Sequence, residues 1–204
     1  MPRGVAPYIL VMDTSADGLK AAAPRTKPAY AGWGGVVLYA QQGATMTTAI
    51  AAHEFTTALF DIFEETFERV QGIYLDRGTS LFETLATISA AEASQPVGTH
   101  CASIAAQVEH VIYYLEVLDH DLQHKQPQNV DWSAAWQHQT VDEAAWAERV
   151  QRLQAMYAQV MAHLRAVEVW QGDSTLGAAL ALVVHTAYHL GEIRQALCTV
   201  KPDR

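Results

Sequence analysis

The stretch HTAYHLGEIRQAL, residues 185–197, sets two imidazoles, His185 and His189, four residues apart. On a helix that spacing puts the rings about 40° apart around the axis and ~6 Å apart along it, so both can reach one metal ion. The apolar run LGAALALVV precedes the pair, and Ala181, Leu182, Val183, Val184 and Leu190 surround it. A buried neutral imidazole has two ring nitrogens to satisfy, and two such rings in apolar surroundings need something to join them. A metal ion does so, and so does a hydrogen-bonded pair of core histidines; the spacing alone leaves both readings open. Glu192, three residues after His189 on the same face, suits a fourth ligand, a base for a bound water, or an acceptor that orients an imidazole.

Divalent-metal sites that do chemistry commonly combine three protein ligands with an open position. His110, in AAQVEHVIYYLEVL, is the candidate third ligand. Ala106, Tyr113, Tyr114 and Val117 stack above and below it on a helix, so its face is not a solvent face. A lone histidine in such a place is more often a satisfied core residue, and that reading stands beside the metal one. The other pair at this spacing, His120 and His124, lies in the polar sequence DHDLQHKQPQ at a helix C-terminus. The helix dipole favours imidazoles there, on a solvated surface. His53, His100, His138 and His163 read as surface or boundary residues. Trp132 and Trp136, with Tyr113 and Tyr114, are candidates to wall a pocket, although loop aromatics more often pack on the end of a helical domain.

The elements that must position these residues are helices. Apolar residues at a 3.6-residue period predict a first long helix over 47–71, with Phe55, Leu59, Ile62, Phe63, Phe67 and Val70 inside and Asp61, Glu64, Glu65 and Glu68 outside. Gly72 is its expected end. SLFE (80–83) and SAAE (89–92) fit capping boxes and predict two short helices. A second long helix is expected over 100–123 with Thr99 as its cap, a third over 141–169 opened by the capping box TVDE (140–143), and a fourth over 175–199 capped by Asp173 or Ser174. The fold class is all-α, a four-helix bundle. The polar connection 124–139 is long enough to cross the end of the bundle, so a crossover between the second and third long helices is expected. Cys101 lies nine residues before His110, and Cys198 nine after His189. If the three histidines share an ion, the cysteines approach one end only when the second and fourth long helices run antiparallel, and both are then expected as free thiols.

Together these segments resemble the DinB/YfiT-like superfamily of four-helix-bundle metalloenzymes. HTAYHLGEIRQAL resembles its C-terminal His-x-x-x-His-x-Gly motif, SIAAQVEHVIYYL the second-helix segment with its first histidine, and SLFETLATISAAEAS the segment between the first two helices. The resemblance covers about residues 47–200. It implies metal ligands at His110, His185 and His189, holding a divalent ion, often zinc or nickel, in an open site. It also implies, for some relatives, a transferase or isomerase activity that uses a low-molecular-weight thiol, while others have no assigned activity. The expected function here is a metal-dependent thiol S-transferase or hydrolase. Many relatives carry Gln where this chain has Glu192, which leaves the role of Glu192 open. A non-catalytic small-molecule binder or stress-associated module that retains the metal is the alternative. A di-iron bundle is set aside, because that class needs Glu-x-x-His motifs and none occurs in this sequence.

Composition bounds the rest. The chain has 204 residues, half of them hydrophobic, with a formal net charge of −9. So acidic a chain argues against broad nucleic-acid or anionic-membrane partners, which need Lys/Arg-rich faces. No apolar stretch reaches the ~18–20 residues of a membrane span. With two cysteines there is no disulfide framework, so a reducing, cytoplasmic setting is the expectation. A small-molecule substrate is the expected partner, and a homodimer is open. Residues 1–45 are rich in Ala, Gly and Pro and show no period; they read as a poorly ordered extension, with Met46 as an alternative translation start and 46–200 as the helical domain.

Overall fold

The computed structural model describes residues 50–98, 101–124, 130–170 and 175–201. The expectations for residues 1–45, Met46, Thr99, His100, Asp173 and Ser174 lie outside them. Among the described residues the chain is all-helical: α1 (Ala52–Phe67), α2 (Leu81–Leu85), α3 (Ala90–Ala93), α4 (Ile104–His124), a 3-10 turn (Ala134–Gln137), α5 (Glu143–Arg165) and α6 (Gly177–Val200). No described helix is long and apolar enough to cross a membrane.

The two short helices start where their sequences say. Ser80 and Ser89 each accept from the backbone N–H three residues on, and Glu83 and Glu92 reach back to the cap N–H. The long helices start and stop within a turn or so of expectation, with different end signals. Asp142, not Thr140, caps α5 by accepting from the N–H of Ala145. Ser103 Oγ accepts from the N–H of Ala106 at the start of α4. In α1 the regular helix ends at Phe67, and Gly72, at φ 91°, sits in the following loop rather than at the cap.

That loop explains a correction. Glu65, expected outside, is fully buried. Its carboxylate accepts from the backbone N–H groups of Gln71, Ile73, Tyr74 and Leu75 at 2.7–2.8 Å. Burial pushes its pKa up, but these four donors outweigh burial and hold it down to about 2.

The core joins Phe63 and Phe67 of α1, Val108, Ile112 and Leu115 of α4, Leu153, Val160 and Leu164 of α5, and Leu182, Leu190 and Ile193 of α6. Side-chain contacts fix the relative directions. Arg149 bonds the Ala105 carbonyl, Arg152 bonds Glu109 and Glu116, and His163 meets Asp119, so α4 and α5 run parallel. Gln107 meets His189 while Tyr114 stacks on His185, so α4 and α6 run antiparallel. The segment between α4 and α5 ends near the start of α4, where Gln139 binds Ser103 through both its side chain and its carbonyl. Cys101 and Cys198 are both free and exposed.

Candidate metal centre

Midway along α4 and α6, three imidazoles meet. Nε2 of His110 lies 3.1 Å from Nε2 of His185, and one ring nitrogen from each of His110, His185 and His189 falls within 4.8 Å of the others. The closest edge matches the roughly 3–4 Å that ~2.1 Å metal–nitrogen bonds require; the outer limit is looser. His110 and His189 are buried and His185 is half-buried. The helix spacing does this work: His185 and His189 are one turn apart, and the antiparallel α4 brings His110 between them.

The surroundings hold each ring in place. His189 Nδ1–H faces Gln107 Oε1 at 2.7 Å and Glu192 Oε2 at 2.9 Å, which leaves Nε2 with its lone pair free. Trp136 stacks on His110, ring centroids 4.1 Å apart, and Tyr114 stacks on His185 at 3.6 Å. Trp132 packs against His110, Tyr113 and Tyr114. The loop tryptophans therefore wall the histidines and do not simply cover a helix end. They belong to the segment that ends with Gln139 bonded to Ser103, just before α4.

This cluster is not internally satisfied. Nδ1 of His110 is buried with no hydrogen-bond partner. Burial pushes His110 down to about 4, partly opposed by the Glu192 charge. It pushes His185 down to about 3, reinforced by the other two imidazoles, and His189 down to about 4, reinforced by His110. All three rings are therefore neutral at pH 7, the form in which imidazole ligates a metal.

The sequence-predicted residues His110, His185, His189, Glu192, Tyr113, Tyr114, Trp132 and Trp136 thus lie in one neighbourhood. Val184, expected among the apolar surroundings of the pair, is instead exposed, as are Leu180 and Tyr188. Of the other histidines, His53 is exposed, and His163 binds the buried carboxylate of Asp119 at 2.7 Å. Gln107 was not singled out from the sequence. Its signal was its position one turn before His110, on the same face of α4. Beside the cluster a cleft of about 410 Å³ is lined by Cys101, Gln107, Tyr188 and Glu192. Comparison with protein-family models, with characterised proteins and with solved structures gives no match.

Proposed function

We propose that the chain is a DinB-like four-helix bundle, with a crossover between α4 and α5, that holds one divalent metal ion, zinc or nickel, through His110, His185 and His189. The observation that carries the reading is the convergence of three neutral imidazoles from two helices. Their histidine donor set suits a borderline-soft divalent ion. Gln107 and Glu192 accept from His189 Nδ1–H, which fixes the tautomer and turns Nε2 inward. Stacking by Trp136 and Tyr114 restricts the other two rings.

The activity that fits best is thiol transfer or hydrolysis on a small molecule. A divalent ion in such a site lowers the pKa of a bound thiol or water and supplies a nucleophile at neutral pH. The chain's own part is to orient the rings, to exclude water with Trp132, Trp136 and Tyr114, and to hold a proton at His189 Nδ1. A second reading, a binding module without turnover, is favoured by one observation: the wall over the histidines is aromatic, and Glu192, the carboxylate at the cluster, is already engaged with His189.

Metal analysis of purified protein tests the centre. One ion per chain is expected in the wild type and none in a His185→Ala/His189→Ala double variant that keeps its helical circular dichroism. Absence of stoichiometric metal from the wild type, or full occupancy of the variant, rejects the reading. Metal-dependent turnover in a screen of small thiols then separates enzyme from binder.

A further inference from the structure

Arg194 lies nine residues beyond His185, half a turn around α6 from it at 100° per residue, so it faces away from the histidines. There, between α6 and the segment that carries α2, is a cavity of about 510 Å³. Arg77, Arg194 and Lys201 line it together with Thr79, Thr84 and Thr87, and none of the described residues lining it is acidic. That is unusual in a chain with 22 acidic and 13 basic residues.

The three cations differ in how their charge is used. Lys201 is already paired with Glu92 at 3.1 Å and bonded to the Thr87 carbonyl, so it ties α6 to the α2–α3 corner. Among the described residues Arg194 donates to a neutral partner, the Thr84 hydroxyl at 3.3 Å. Neither Arg194 nor Arg77 forms an ion pair with a carboxylate among the described residues. By contrast Arg149, Arg152 and Arg165 are all paired with glutamates. Asp76 lines the adjoining cavity with Arg194 but forms no ion pair with it. Two guanidinium groups with no carboxylate ion pair among the described residues, on separate segments and lining one concavity, suit the planar, bidentate recognition of an oxyanion. The cavity holds more than a single inorganic ion.

We propose that this cavity binds a small organic molecule through a phosphoryl or carboxylate group, with Arg77 and Arg194 as its charged recognition groups and the threonine hydroxyls as additional donors. The site is separate from the histidine cluster and does not depend on a metal there.

Calorimetric titration of the full-length, metal-stripped chain tests it, with phenyl phosphate and citrate as probes in separate arms. Saturable binding of at least one probe is expected, weakening with added salt. An Arg77→Gln/Arg194→Gln double variant is expected to bind at least tenfold more weakly, with its helical content and metal stoichiometry unchanged. The His185→Ala/His189→Ala variant is expected to bind as the wild type does. Tighter binding of phenyl phosphate assigns a phosphoryl ligand, and tighter binding of citrate a carboxylate. Saturable binding of neither probe, or equal binding by the arginine variant, overturns the proposal, as does loss of binding in the histidine variant. If the arginine variant unfolds, Arg194→Lys, which keeps the charge but not the fork, is expected to bind at least threefold more weakly; wild-type affinity overturns the proposal.

Discussion

Among the places where the described residues bury ionisable side chains, two are built to opposite rules. Around Glu65, a single carboxylate takes up four backbone N–H groups of the following loop. The charge is buried but answered, and the result is a closed joint between α1 and the chain leading to α2. Around His110, His185 and His189, burial gathers three groups of the same kind whose nitrogens face one another. One ring nitrogen there is left with no partner at all. Burial of an ionisable group is therefore no sign of function by itself. What separates the two regions is whether the protein supplies the complement. Glu65 has its donors from the chain, whereas the imidazoles turn ring nitrogens toward one another and could hold a metal ion between them.

The largest test removes each centre. The His185→Ala/His189→Ala exchange is expected to abolish stoichiometric metal and leave the fold standing. Glu65→Ala, which strands four loop donors, is expected to cost about 2–4 kcal/mol, read by denaturant unfolding, with metal per folded molecule unchanged. If Glu65→Ala loses metal and the histidine variant unfolds, the contrast is reversed.

Acid titration of the metal-stripped chain is the next sharpest. The three histidines have folded pKa values of about 4, 3 and 4 against an ordinary 6.5. The folded chain thus binds fewer protons than the unfolded one between those values. Their contribution to stability is complete above pH 6.5 and is lost as the pH falls toward 4. Glu65 is depressed from 4.5 to about 2, so its contribution is complete above pH 4.5 and is lost only as the pH falls toward 2. Unfolding free energy followed from pH 8 to pH 3 is expected to decline first in the upper window, and the His185→Ala/His189→Ala variant is expected to flatten that first decline. An equal decline in that variant removes the histidines as its cause.

Smaller effects probe how the rings are held. Gln107→Ala deletes one acceptor for His189 Nδ1–H and is expected to weaken metal affinity roughly 10–100-fold in competition with a chromogenic chelator. Glu192→Gln keeps an acceptor at the same place, and less than a tenfold change is expected. A larger loss with Glu192→Gln than with Gln107→Ala would make Glu192 the main support of the ring.

The sequence carried much of this, unevenly. Periodicity located the long helices because their core positions, such as Leu153, Tyr157, Val160 and Leu164, are apolar and regularly spaced. Two capping boxes were legible because their partners are three residues apart. The histidines were legible as residue types, but their meeting depends on helix direction, which no local pattern encodes. Glu65 and Arg149 were hidden for the same reason. A charged residue on a helix reads as solvent-facing until a distant loop or carbonyl is folded onto it, as residues 71–75 are onto Glu65 and Ala105 is onto Arg149. Gln107 became meaningful only once α6 lay antiparallel to α4.

The distance along the chain between His110 and His185 is 75 residues. An ion gripped by both helices is thus a removable cross-link closing a long loop, and it draws on the same chain entropy as a disulfide of that span. On the proposed reading, metal supply would govern not only what the site can do but how long the native chain survives heat. Chelation should lower the melting temperature of the wild type far more than that of a chain lacking the imidazoles.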